Sequence, residues 1–241
     1  EYSGDPADVA MDGEEEAYLL QAVNDCFTRQ LSSKDILWRY AGVRPLCDDD
    51  SARASEISRD YILELGLGDD AKAPLLSVFG GKITTYRKLA ETALAQLKPF
   101  LPEMGADWTA ETALVGGELA GHGEGDFDQW LQSQAQCYPW LPMALLARLG
   151  RAYGSQLGEV LADATAMGDM GFCFGAGLYQ REVEYLVAKE WARSSEDILW
   201  RRSKLGLYFK QAEVEKLDAF VRELIQCDDD DSYSAKLSGL S

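Results

Sequence analysis

The sequence predicts an α+β protein: a mixed region of helices and a few mainly antiparallel strands over residues 1–100, then an all-helical domain over 101–226. Three observations lead there. Apolar residues alternate at Tyr61, Leu63 and Leu65, the pattern of a half-buried strand, and run together from Pro74 to Phe79, the pattern of a fully buried one. The second run stops at Gly80-Gly81 and gives way to helical spacing. Beyond Pro99 and Pro102 the texture turns glycine-rich, and afterwards only helical periodicity recurs.

The first helix is placed by Asp12, three residues before Glu15, an arrangement in which two side chains cap free backbone N–H groups reciprocally. Leu19, Leu20, Val23 and Phe27 then share one face, and Glu14 to Glu16 sit at the positive end of the helix dipole. From Asp35 to Val43 the alternation of Ile36, Trp38 and Tyr40 predicts a strand, antiparallel to the one at Tyr61–Leu65. A helix from about Thr85 to Leu97 carries Leu89, Ala90, Ala93, Leu94 and Leu97 on its inner face. In the second region Phe127, Trp130 and Leu131 open one helix, and Pro142 stands in the first turn of another with Leu145, Leu146 and Leu149. Tyr179 to Trp191 forms a longer one. Ser195 is placed to cap a helix entering Ile198-Leu199-Trp200, and Val214, Leu217, Val221 and Leu224 mark the last. Residues 227–241, with Asp228 to Asp231, read as an acidic, disordered tail.

Composition removes several function classes. The 241 residues hold 41 acidic and 23 basic side chains, a formal net charge of -18, which repels nucleic acid and anionic lipid headgroups. The five cysteines are scattered and form no C-x-x-C pair, so they read as reduced thiols of a cytoplasmic protein, without a disulfide framework or metal site. No apolar run approaches the roughly 20 residues of a membrane-spanning helix. The chain opens in mid-pattern, without Met, as a piece of a longer polypeptide would.

Three segments can carry chemistry. In Gly80-Gly81-Lys82-Ile83-Thr84-Thr85 the glycines let a ligand approach the main chain, and the following helix points free N–H groups and its positive dipole end at that place. A ligand that gains negative charge would be favoured there. The same pattern also describes an ordinary strand-to-helix turn with a solvated lysine. In Tyr40-Ala41-Gly42-Val43-Arg44-Pro45-Leu46 the constrained Arg44 can present its planar fork to a phosphate, or pair with one of Asp48 to Asp50. Arg59 poses the same choice with Asp60. The single histidine, His122, lies in a glycine-rich loop without a neighbour to orient it and reads as non-catalytic. A G-x-G-x-x-G dinucleotide fingerprint is absent, and Trp200-Arg201-Arg202 suits helix packing or ion pairs better than nucleic acid.

Taken together, Trp38–Asp49, Ile57-Ser58-Arg59-Asp60-Tyr61 and Ala73–Glu91 resemble the bacterial aerobic, FAD-dependent glycerol-3-phosphate dehydrogenases. Trp108-Thr109 with Gly116-Gly117, Tyr153-Gly154-Ser155 and Asp197–Gly206 continue the resemblance to about residue 225. It implies the C-terminal part of a glutathione-reductase-like FAD/substrate domain followed by a helical cap. It further implies that Arg44 and Arg59 grip the phosphate of glycerol 3-phosphate, and that Lys82 lies by flavin and substrate. The backbone N–H groups of Lys82, Ile83 and Thr84, reached past Gly80 and Gly81, would face the flavin C2 oxygen. A quinone is the implied electron acceptor, and a homodimer and peripheral contact with the inner face of the cytoplasmic membrane are compatible with it. The family's dinucleotide-binding glycines and active-site histidine lie upstream of Glu1, so this polypeptide by itself is expected to be inactive. Two other readings compete: a glycerophosphate oxidase that uses oxygen, and a non-catalytic helical interaction module.

Overall fold

In the computed structural model, which describes residues 2–43, 60–67, 73–119 and 127–229, the chain divides into two units, Glu1–Thr112 and Ala113–Ser241. The first opens with α1 (Gly13–Cys26), whose start is fixed as the sequence predicts. Asp12 Oδ1 accepts from the amides of Glu14 at 2.9 Å and Glu15 at 2.8 Å, while Glu15 Oε2 accepts from the Asp12 amide at 3.2 Å. The expected apolar face is present but uncovered: Leu19 is 51% exposed and Phe27 65%.

The strand predicted over Asp35–Val43 does not form. Asp35 instead closes a 3-10 turn, Ser33–Asp35, by accepting from the Ser32 amide and hydroxyl, both at 2.9 Å. Past it the alternation does put Trp38 and Tyr40 on one side, where their rings stack 5.0 Å apart, and Arg39 pairs with Glu16 of α1 at 2.6 Å. Alternation sets which side chains share a face; a strand also needs a backbone ladder, and in the described residues none reaches this segment. The ladder of β1 (Tyr61–Gly66) is taken by β2 (Leu75–Gly80), antiparallel, from Tyr61 opposite Gly80 to Gly66 opposite Leu75.

The full burial expected for the 74–79 run is likewise corrected, since Leu75 is 68% exposed, Val78 47% and Phe79 46%. A two-stranded ribbon can cover one face at most, and here α2 (Tyr86–Leu97) provides that cover, tied to β1 by the 3.3 Å contact between the Tyr61 hydroxyl and Thr92 Oγ1.

The second unit closes on itself. Helices α3 (Phe127–Cys137), α4 (Met143–Tyr153), α5 (Leu157–Leu161), α6 (Gln180–Glu190) and α7 (Gln211–Asp229) enclose a core in which Leu146, Leu149, Leu161, Val183 and Leu217 are fully buried. It departs from the predicted all-helical domain: β3 (Cys173–Gly175) and β4 (Leu178–Tyr179) pair antiparallel around Ala176-Gly177. Strands of three and two residues are too short to show a period in sequence. Two further corrections concern helix ends. The cap expected at Ser195 is supplied by Ser194, whose Oγ accepts from the Asp197 amide at 3.1 Å, while Ser195 points inward and donates to Asp218 of α7 at 3.0 Å. And α7 continues through Asp229, into the expected tail.

Candidate functional site

At the end of β2 the backbone turns through two left-handed residues, Gly80 with φ +70° and Gly81 with φ +97°. A side chain would be strained at either position by the backbone conformation itself; a Cβ on Gly81 would meet Tyr61 Cβ at 3.4 Å, an ordinary contact distance. Lys82 resumes an extended conformation and caps a 3-10 turn, Ile83–Thr85, which is interposed before α2 where the sequence predicts a helix from Thr85. The Lys82 carbonyl accepts from both the amide and the hydroxyl of Thr85, each at 3.0 Å. The amides of Ile83 and Thr84 lie in the opening turn and have no intrahelical acceptor. The structure therefore gathers Gly80, Gly81, Lys82, Ile83 and Thr84 into one exposed turn that presents backbone amides, the Thr84 hydroxyl and the Lys82 ammonium. Such a set attracts negative charge.

Three cations stand along this stretch, and two are engaged. Arg87 Nη1 donates to Glu91 Oε1 at 2.7 Å and Lys88 Nζ to Glu91 Oε2 at 3.0 Å. Thr109 Oγ1 donates to the same carboxylate at 2.6 Å. The Thr109 hydroxyl, and after it Lys88, hold the Glu91 carboxyl below the usual carboxylate range. Lys82 forms no ion pair among the described residues.

Arg44 and Arg59 lie outside the described residues, as does His122. The described start of the Arg44 segment, Tyr40–Gly42, lines a cleft of about 560 Å³ together with Met11, Glu14, Glu15, Tyr18 and Leu19. Its two carboxylates would oppose an anion there. Trp200-Arg201-Arg202 forms the ion pairs expected of it: Arg201 with Glu196 at 2.8 Å and Asp197 at 2.9 Å, Arg202 with Glu190 at 3.7 Å.

Sequence reasoning missed two polar clusters. One is Glu91 with Thr109; the spacing Arg87, Lys88, Glu91 was readable as a helical ion pair, but nothing local points to Thr109. The other is in the second unit, where Glu182, 1% exposed, accepts from Arg148 at 2.8 and 2.6 Å and from the Tyr153 hydroxyl at 2.8 Å. Burial alone would lower the Arg148 pKa, but the bonds to Glu182 keep it raised; burial, and then the Glu182 charge, push the Tyr153 phenol up. Beside Tyr153, Gly154 is left-handed and its backbone approaches so closely that a Cβ would collide with the Gly116 carbonyl oxygen. The Ser155 amide donates to that same oxygen at 3.0 Å. Among the described residues no helix is long and apolar enough to cross a membrane.

Comparison with known proteins places these features in context. Residues 108–226 match the family described as the C-terminal domain of alpha-glycerophosphate oxidase. The chain is 50% identical over 222 residues to a glycerol-3-phosphate dehydrogenase of Pseudomonas aeruginosa, an alignment covering 92% of this chain and 42% of that protein. It is 43% identical over 226 residues to the aerobic glycerol-3-phosphate dehydrogenase of Escherichia coli, covering 94% and 44% respectively. It is also 43% identical over 212 residues to a D-erythritol 1-phosphate dehydrogenase of Brucella abortus, covering 88% and 41%. The chain thus spans less than half the length of the relatives it matches.

Proposed function

We propose that this chain, which is similar to glycerol-3-phosphate dehydrogenases over more than nine-tenths of its length, forms part of a flavoprotein that oxidises sn-glycerol 3-phosphate to dihydroxyacetone phosphate. When bound, FAD would take the hydride from C2 of the substrate and pass the electrons on to a quinone. The observation that carries the reading is the Gly80–Thr84 turn. Two successive left-handed glycines bare the backbone, and the free amides of Ile83 and Thr84 suit the C2 carbonyl oxygen of a flavin. Lys82, without an ion pair among the described residues, supplies a full positive charge beside the place where negative charge develops. Arg44 and Arg59 hold the phosphate dianion; a charge-assisted hydrogen bond of this kind contributes about 1.5–3 kcal/mol. The proposed domain division sets an FAD/substrate domain through about residue 100 ahead of the helical domain. A quinone acceptor implies a cytoplasmic enzyme in peripheral contact with the membrane, and a homodimer is compatible with it.

The decisive substitution is Lys82→Met in the full-length protein, with anaerobic stopped-flow reduction of the flavin by glycerol 3-phosphate as the readout. An interaction made mainly in the transition state appears in kcat, whereas uniform binding appears in KM alone. The expected loss is on the order of 10²-fold in the reduction rate, with a smaller change in KM. Lys98→Met, beyond the far end of α2, serves as control. Unchanged reduction in Lys82→Met overturns the assignment of this turn to the cofactor.

A second reading, oxygen as electron acceptor, is favoured by the match of residues 108–226 to a domain of an oxidase. Oxygen consumption with peroxide formation in the absence of quinone separates the two. D-Erythritol 1-phosphate, tested beside glycerol 3-phosphate, measures how far the substrate's carbon chain is discriminated.

A further inference from the structure

Glu91 is the single buried side chain among the described residues of the first unit, 9% exposed, and it is charged. Burial of a carboxylate is costly unless it is paired and hydrogen-bonded. Here both oxygens are engaged, from two directions. Arg87 and Lys88 come from the preceding turn of the same helix, which directly follows the Gly80–Thr85 turn. Thr109 comes from a separate segment 18 residues downstream. The two helical pairs alone would be an ordinary surface pattern of small energetic weight. The bond from Thr109 is different in kind, because it joins α2 to a segment outside it.

We propose, resting on the reading of the Gly80–Thr84 turn as the cofactor-facing element, that Glu91 is a positioning residue that clamps α2 to Thr109 and thereby holds Lys82 and the Ile83 and Thr84 amides in register. Two features of the clamp serve that role. By accepting from Arg87 and Lys88, Glu91 draws both cations back along the helix, so that Lys82 is the cation left at the turn without an ion pair among the described residues. By accepting from Thr109 it removes the freedom of α2 to pivot about its second tether, the Thr92 contact with Tyr61. A small displacement of a positioned charge is enough to slow a reaction greatly without weakening binding to match.

The test uses the full-length, flavin-loaded protein with Glu91→Gln, Thr109→Val, Thr109→Ser and Lys82→Met made in parallel. Glu91→Gln and Thr109→Val are expected to lower kcat for glycerol 3-phosphate by about 10-fold while KM moves far less. Thr109→Ser, which keeps the hydroxyl, is expected to restore the wild-type value. Hydrogen exchange supplies a readout independent of turnover: it should quicken across residues 80–86 in Glu91→Gln and Thr109→Val and stay unchanged in α7. Wild-type kcat and exchange in both variants overturn the inference. So does a loss of kcat, KM and flavin content together that Thr109→Ser fails to repair, because that marks a merely structural residue. Should Glu91→Gln fail to fold, the Thr109 pair decides alone, since it removes one neutral donor of three. Normal flavin reduction in Lys82→Met defeats the reading of the turn whatever Glu91 shows; a slow Lys82→Met beside a normal Thr109→Val defeats only the clamp.

Discussion

Every buried hydrophobic side chain among the described residues, from Trp130 to Leu224, lies in the second unit, whereas the first buries only Glu91. The two are comparable in length, and both are patterned for burial: α1, β2 and α2 carry apolar faces, as α4 and α7 do. In the second unit those faces meet one another. In the first, Leu19, Phe27, Leu75 and Val78 are uncovered by any described part of it. Among the described residues the second unit has a finished core, and the first, with the exposed turn of amides and Lys82, buries no hydrophobic side chain. On the proposed reading, stability and chemistry are carried by different parts of this chain.

The contrast can be broken most forcefully at the buried pair. Glu182→Ala leaves Arg148 inside the second unit without its carboxylate and should destabilise that unit by about 4 kcal/mol, within the range for losing one partner of a buried ion pair. Denaturant unfolding of this chain would measure it, and a loss below about 1 kcal/mol would show that the cluster is not an energetic centre.

Core truncation sharpens the same comparison. Leu146→Ala should cost about 3 kcal/mol, transfer and cavity together, whereas Val78→Ala on the half-exposed β2 should change stability by less than about 0.5 kcal/mol. A large effect of Val78→Ala in this chain would mean that β2 is covered after all.

The smallest expected effect is on pH dependence. Asp197 is held below the usual carboxylate range chiefly by the Arg193 amide, then by Ser194 and Arg201; Glu16 is lowered by Arg39 and Ser33, and Asp35 by Ser32. A carboxyl whose folded pKa is depressed contributes stability above its unfolded value, near 3.8 for Asp and 4.5 for Glu, and loses it as pH falls through the folded value. Acidification below about 4 should therefore weaken both units. The first, which buries no hydrophobic side chain among its described residues, should open earlier. Hydrogen exchange followed from pH 7 to pH 3 would show this order, and simultaneous opening would count against it.

Much of this was legible in the residues themselves. The Asp12 capping box, the β1 and β2 runs, the stop at Gly80-Gly81 and the faces of α2, α4 and α7 follow from spacing and backbone stereochemistry, which act over a few residues. The segments shared with the dehydrogenases were recognisable for the same reason: Gly80 and Gly81 are demanded by a local turn. Which partner each face meets is another matter. That Ile36–Val43 joins no ladder among the described residues, that β2 stays half-exposed, that Ser194 caps while Ser195 turns inward, and that Glu91 binds Thr109 and Glu182 binds Arg148 were decided only in three dimensions. Periodicity says which side of an element is apolar or charged, but burial and long-range hydrogen bonds are properties of pairs of elements, and no single stretch of sequence contains both members of the pair.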